Sequence, residues 1–362
     1  MEILKDFRKK KVLITGHTGF KGSWLSLWLH HLGADVMGIS NGIITRPSHF
    51  EVLELKKKIK SKFIDINNLE QTKKIINKFK PSFIFHLAAQ ALVRKSYKDP
   101  INTIRTNAIG TLNILESVRS LKNKCNVILI TSDKVYKNLE ITRGYNEKDL
   151  MGGKDPYSGS KAAAENIIYS YMSSYFNNKN KKHLISVARA GNVIGGGDWS
   201  EDRIIPDCIK SWSKGKIANI RNPNSTRPWQ HVLEAVGGYL ILAAKLSQNK
   251  KLHNQAFNFG PSKKNNFKVL ELINNIKINW NNIKYRKVKS KKKFFESKLL
   301  QLNSQKSLKL IKWRSVLNFY ETTKLVSDWY KNYYYGNVSV KDISLQQIKY
   351  YENLLKERLK IK

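Results

Sequence analysis

Through its first half the chain alternates short apolar runs with longer segments whose apolar residues return every three or four positions. Lys11 to Thr15 reads as a buried strand, and Lys21 to Leu32 as a helix with Trp24, Leu25, Trp28 and Leu29 on one face. Asp35 to Ile39 is a second strand, Lys62 to Ile64 a third that runs into Asp65, and Leu69 to Phe79 a helix. Pro81 to Leu87 gives a fourth strand, Asn102 to Ser120 a long helix, and Val127 to Ser132 a fifth strand. Tyr157 to Tyr175 is helical, and Ile185 to Arg189 is the sixth strand. Strands that alternate with helices and carry no hairpin signal pair in parallel. The pattern therefore predicts an α/β fold with a doubly wound parallel sheet over residues 1–190.

Beyond Arg189 the rhythm breaks into loops rich in Gly, Asp, Pro and Trp. Helix-like stretches at Ile204 to Lys214, Val232 to Gln248, Phe267 to Ile278 and Tyr320 to Tyr330 alternate with short strands such as Ala256 to Phe259. Residues 191–362 are expected to form a smaller substrate domain, with segments that return to the first.

Composition narrows the class. No run of about 18 apolar residues occurs, so no membrane span is expected. Met1 to Lys11 is short and charged, so no secretory leader is expected either. Cys125 and Cys208 are too few for a disulfide framework, which favours a reducing cytoplasm. Lys and Arg total 66 against 27 acids, a formal charge of +39. Such a field attracts polyanions. Yet the excess is lysine spread along the whole chain among Asn and Ile, as compositional drift would give. Only Lys287 to Lys293 is dense, and it lacks interleaved aromatics. No specific nucleic-acid partner is expected, while a small anionic substrate would be drawn in.

Two motifs carry chemistry. Gly16, Gly19 and Gly22 lie between an apolar strand and a helix, where glycines permit a tight turn and close approach to a pyrophosphate. The helix beginning near Phe20 would point its amides at the phosphates. An acid about 20 positions on would grip the adenosine ribose, but Ser40 and Asn41 stand there. Asp65 either meets the adenine end or caps the next helix. The second motif puts Tyr157 and Lys161 at i and i+4, on one helix face. A phenol is a poor base near neutrality, and an adjacent ammonium together with a positive nicotinamide would lower its pKa. Ser132, at the end of the fifth strand, can hydrogen-bond the same substrate oxygen. A Rossmann dinucleotide site followed by this pair predicts dehydrogenase-type chemistry.

The chain resembles the extended short-chain dehydrogenases/reductases that act on nucleotide sugars. The resemblance rests on GHTGFKGSWLSLWL from Gly16, HLAAQALVRKSY from His86, TSDKVY from Thr131 and DPYSGSKAAAE from Asp155, and runs nearly end to end. ARAGNVIGGGDWSEDRIIPD from Ala188 and RPWQHVLEAVGGYL from Arg227 are more specific, and resemble the dehydratases of that family. It implies NAD, seated by Gly16, Gly19, Phe20 and Gly22, with Asp65 and Ile66 near adenine and Leu87 and Ala89 flanking the cofactor. Asn107 would support Lys161 from behind. Ser132, Tyr157 and Lys161 would be catalytic, with Asp133 as the acid for a departing hydroxyl. Lys134 would either assist loss of the C5 proton or pair with Asp133 or a substrate phosphate. Gln90 and Arg94 would face the sugar, and Asn192, Arg203 and Arg227 the pyrophosphate and cytidine side. The implied reaction is dehydration of CDP-glucose to CDP-4-keto-6-deoxyglucose, for deoxysugars of a surface polysaccharide such as O-antigen. The alternatives on the same fold are an epimerase, which would not need Asp133, or a dehydratase for another nucleotide sugar. The resemblance also implies a homodimer and no metal. Phe294-Phe295-Glu296 departs from the family's usual segment, which leaves the contacts near Glu296 open.

Overall fold

Six strands appear in the alternating half: β1 (Lys11–Thr15), β2 (Asp35–Ser40), β3 (Lys60–Phe63), β4 (Phe83–His86), β5 (Cys125–Ser132) and β6 (His183–Ala190). In the computed structural model, which describes residues 2–177, 182–280, 284–288 and 299–360, they pair with a seventh strand, Gln255–Phe259. The order is Gln255–Phe259, β6, β5, β4, β1, β2, β3. Every ladder is parallel. β5 and β6 are buried along their whole length, as strands covered on both faces must be. Strands are added on one side of β1 up to β3 and on the other from β4 onward, so a crevice opens above the C-terminal ends of β1 and β4, where ligands bind in such sheets.

Two apolar cores lie on the two faces of the sheet. One face takes the Leu69–Phe79 and Pro156–Ser174 helices, with a longer helix over residues 100–119 between them. That longer helix was expected to be continuous. It holds a π turn at Arg105–Ile109, between Pro100–Ile104 and Gly110–Arg119. The opposite face takes the Phe20–His31 and Val232–Gln248 helices.

The Phe20–His31 helix buries every residue from Gly22 to Leu29 rather than one face. The reason is a second cover: a C-terminal helix, Val340–Leu359, packs outside it, and Trp28 Nε1 donates to Glu352 Oε1 at 2.7 Å. β3 begins two residues earlier than expected. As an edge strand it has most of its residues in water, Phe63 included at 51% exposure, so apolar pattern does not mark its start.

The remaining segments form two-stranded ribbons. Val193–Ile194 pairs with Gln230–His231, Thr226–Pro228 with Asn266–Lys268, and Ala218–Ile220 with Tyr285–Lys287. Helices Ile204–Trp212, Val269–Asn279 and Phe319–Tyr335 pack around them. The helix expected from Phe267 starts at Val269 because Asn266–Lys268 is taken up in a ribbon. Of the lysine run only Lys287 and Val288 are described. Phe294, Phe295 and Glu296 lie outside the described residues. No described helix is long and apolar enough to cross a membrane.

Candidate active site

β1 ends at Thr15 and the chain turns at Gly16, whose φ of +74° lies in the left-handed region. Space is as strict as conformation there. A Cβ on Gly16 would lie 2.8 Å from Ala88 N, and one on Gly22 would lie 2.1 Å from Gly16 O. The turn thus fits only bare backbone, as a pyrophosphate seat requires. Gly19 caps the Phe20–His31 helix without a side-chain hydrogen bond, and the first turn carries no acid. Its leading amides remain available to an anion. Thr15 Oγ1 pins the far lip, accepting from Ala88 N at 3.0 Å and bonding His86 Nδ1 at 2.7 Å.

The seat opens into one cleft of ≈ 640 Å³. Ser40, Asn41, Asp65, Ile66, Leu87 and Ala89 line its cofactor side. Asp65 is not the helix cap. Its Oδ1 accepts from Asn67 N at 2.9 Å, while Asn68 caps the Leu69–Phe79 helix through Gln71 N at 3.0 Å. Ile66 is mostly buried behind the wall, its Cδ1 2.5 Å from where a Cβ on Gly110 would lie. Asn107 stands behind the wall rather than against Lys161. Its two amide protons go to Gln90 O (3.0 Å) and Ser160 Oγ (2.8 Å), and its oxygen accepts from Gln90 N at 2.8 Å.

The Pro156–Ser174 helix starts at Asp155, which accepts from Ser158 N at 3.0 Å, with Pro156 in its first turn. That cap fixes Tyr157 and, one turn on, Lys161 toward the cleft. β5 delivers Ser132 at its end and Asp133 just beyond. Ser132 Oγ donates to Asp133 Oδ1 at 2.8 Å, and Lys134 Nζ lies 3.2 Å from both Asp133 oxygens. Ser132, Asp133, Tyr157 and Lys161 are all buried at the cleft wall.

Burial dominates the electrostatics of this pair. It pushes the Tyr157 phenol up to about 12, against a hydrogen bond with Ser132 and the charge of Arg203, while Asp133 adds to the rise. Burial likewise brings Lys161 down to about 8, opposed by Glu165. The groups that lower Tyr157 are Ser132 and Arg203 rather than the expected Lys161, and burial outweighs them. The same burial takes Lys21, at the base of the cleft, down to about 8, helped by Arg203 and Lys161 and opposed by Asp133.

On the substrate side Asn192, Arg203 and Arg227 line the cleft. Arg203 Nη1 donates to Asp198 Oδ2 at 2.9 Å, and Arg227 Nη1 to Thr226 O at 2.8 Å. Arg94 also lines it, and donates to Asp202 Oδ1 at 2.9 Å; Arg221 Nη1 meets the same oxygen at 3.2 Å. Gln90 is turned inward. Its amide donates to Leu92 O and Thr103 Oγ1, and its oxygen accepts from Leu92 N, so its polar atoms close its own loop although the residue still lines the cleft. Sequence reasoning missed Lys21, Asp198, Asp202 and Arg221. The first three sit inside motifs already singled out, GHTGFKG and GGGDWSEDR; Arg221 follows a three-residue strand and carries no signal of its own.

The model of the GDP-mannose 4,6 dehydratase family matches residues 13–326. A CDP-glucose 4,6-dehydratase of Salmonella typhimurium is 41% identical over 330 residues, 90% of this chain and 92% of that one. Among solved structures, an epimerase of Methanothermobacter thermautotrophicus superposes with a TM-score of 0.78 at 22% identity, over 92% of this chain and 96% of its own. A UDP-glucuronic acid 4-epimerase of Bacillus cereus, solved with UDP-glucuronic acid and NAD, gives 0.75 at 22% identity, over 89% and 99%. At that identity the two structures bear on the fold alone.

Proposed function

The chain belongs to the GDP-mannose 4,6 dehydratase family, and from that premise we propose that it dehydrates CDP-glucose to CDP-4-keto-6-deoxyglucose. The observation that carries this reading is Asp133. It is bonded to Ser132 on the wall that also holds Tyr157 and Lys161, in a chain 41% identical to a CDP-glucose 4,6-dehydratase. A simple epimerase has no use for an acid there.

The residues present fit NAD. Gly16, Gly19, Phe20 and Gly22 would hold its pyrophosphate on bare backbone and helix amides, and Asp65, Ile66, Leu87 and Ala89 would flank it. When bound, it would accept a hydride from C4 of the sugar and return it to C6. Tyr157 would take the C4 hydroxyl proton while Ser132 bonds the same oxygen. Lys161 would stabilise the phenolate. With a ketone at C4 the C5 proton becomes acidic, and Lys134 lies beside Asp133 as a candidate to receive it. Asp133 would give a proton to the C6 hydroxyl, which leaves as water, and a proton returned to C5 completes the balance. Asn192, Arg203 and Arg227 would meet the nucleotide diphosphate, arginine forks suiting phosphate oxygens.

We assign this activity to a homodimer in the cytoplasm. Ile101, Ile104 and Ile109 on one helix, and Tyr169 on the neighbouring Pro156–Ser174 helix, are exposed large apolar residues, and a second copy would cover them. Cys125 and Cys208 are free thiols, as a reducing compartment allows. Light scattering should give twice the 41.8 kDa chain mass; a monomer in moderate salt removes the dimer.

The deciding assay incubates purified protein and NAD with CDP-glucose or dTDP-glucose and reads the alkali-induced absorbance of a 4-keto sugar. The product should form from CDP-glucose, with deuterium from solvent entering C5. A 4-epimer without loss of water would replace this reading with the epimerase.

A further inference from the structure

We propose that Glu165, acting through Arg189 and Thr131, is a positioning residue that holds Lys161 and Ser132 in register on one wall of the cleft without touching substrate. The proposal rests on the roles given above to Tyr157, Lys161 and Ser132.

Tyr157, Lys161 and Glu165 follow one another at four-residue steps, so they form a stripe down one face of the helix. The first two reach the cleft; the third lies beneath it, 4% exposed. Its carboxylate accepts the Arg189 fork, Nε at 2.8 Å and Nη2 at 2.6 Å, and Thr131 Oγ1 at 2.6 Å. Thr131 and Arg189 are cross-strand partners in the β5–β6 ladder, and the next pair is Ser132 with Ala190. One carboxylate thus ties the catalytic helix to both strands a single residue before they end at the cleft.

Arg189 carries the tie further. Its Nη1 donates to Tyr136 Oη at 2.8 Å and to Glu147 O at 3.2 Å, and Tyr136 Oη donates to Asn258 Oδ1 at 2.7 Å. The segment just after Lys134 is thereby held to the same arginine. A buried ion pair is a poor source of stability compared with apolar packing. What this one supplies is a fixed distance between Ser132 on a strand and Tyr157 and Lys161 on a helix, where a small misplacement is costly.

Charge gives the second consequence. Facing Lys161 are Tyr157 and Glu165 from its own helix, Lys21 from the glycine turn, and His86 from β4, which burial keeps neutral near pH 7. Arg189 of β6 stands behind Glu165, and Asp133 and Arg203 act on Lys21 and Tyr157. Glu165 is the carboxylate that holds the Lys161 ammonium up against burial.

The test uses the full chain with Glu165→Gln and, separately, Thr131→Val, which removes one hydroxyl and keeps the shape. A small amine-acylating reagent, applied across pH and read peptide by peptide by mass spectrometry, reports the titration of Lys161 with no substrate present. Glu165→Gln should lower that midpoint by at least about half a pH unit and move the alkaline limb of turnover the same way. Thr131→Val should leave the midpoint in place and lower kcat about tenfold at unchanged KM. An unmoved Lys161 midpoint in Glu165→Gln, or a wild-type kcat in Thr131→Val, overturns the proposal. Wild-type protein inert toward every nucleotide sugar would instead remove the dehydratase reading, and the labelling comparison would still decide the Glu165–Lys161 coupling.

Discussion

The two walls of the cleft are built on different terms. The wall with Ser132, Asp133, Tyr157 and Lys161 comes from neighbouring positions on one strand end and one helix, and those four residues are at most 9% exposed. The opposite wall is assembled from loops. There one oxygen of Asp202 gathers Arg94, 108 residues earlier, and Arg221, 19 residues later, with side chains 31% to 40% exposed. Asp202 itself sits at φ +58°, in the left-handed region. The first wall is dry and set by local spacing. The second is wet, and depends on which partners the fold brings together. The contrast teaches that chemistry and specificity are held here by different grades of structure, so perturbing them should give different signatures.

The largest effect belongs to the dry wall. Tyr157→Phe should keep the fold and NAD affinity and lose at least about two orders of magnitude in turnover. Near-normal turnover in the purified variant would end the assignment of Tyr157. Lys134→Met comes next: if Lys134 takes the C5 proton, turnover should fall about a hundredfold, the low end for a proton-transfer group. If Lys134 assists C5, the variant should form NADH yet fail to take solvent deuterium at C5. Normal exchange would leave Lys134 as the ion-pair partner of Asp133, the role its 3.2 Å contacts already give it.

A pH profile sharpens the comparison. Lys161 has to stay charged to support the phenolate, and burial has brought it down to about 8. Activity should therefore fall as pH rises through that value, and Asp202→Asn should leave this limb where it is. A limb that moved with Asp202 would mean that the two walls are electrostatically one.

The smallest effect is on the wet wall itself. Asp202→Asn removes one carboxylate charge beside Arg94 and Arg221, while Arg221 keeps Asp207 at 3.9 Å, so CDP should bind about threefold tighter at low salt by calorimetry, the scale of an exposed ion pair. The gain should vanish at high salt. Weaker binding would make Asp202 an aligner of the arginines instead of their competitor.

The same contrast explains what was legible in the sequence. Six strands of the sheet, the glycine turn and the Tyr157–Lys161 pair follow from local period and spacing, which a chain displays directly. Asp202, Arg221 and the inward turn of Gln90 depend on contacts made through space, which no local period records. The π turn at Arg105–Ile109 leaves the apolar rhythm of its helix intact, so it was invisible. The Val340–Leu359 helix was missed because its buried positions include Ser344 and Gln347 among Ile348, Tyr351, Leu354 and Leu355, which blurs the amphipathic signal. The seventh strand, Gln255–Phe259, was read as a strand, but its place beside β6 required knowing the topology.

The bond from Trp28 to Glu352 joins residues 324 positions apart. On a ribosome adding roughly 5–20 residues per second, the two are made on the order of tens of seconds apart. For that interval the helix that follows the glycine turn lacks its outer cover, and its apolar outer side faces solvent. Newly made chains are therefore expected to be clients of holding chaperones until the last helix docks, and slower translation of the middle of the message should lengthen that dependence.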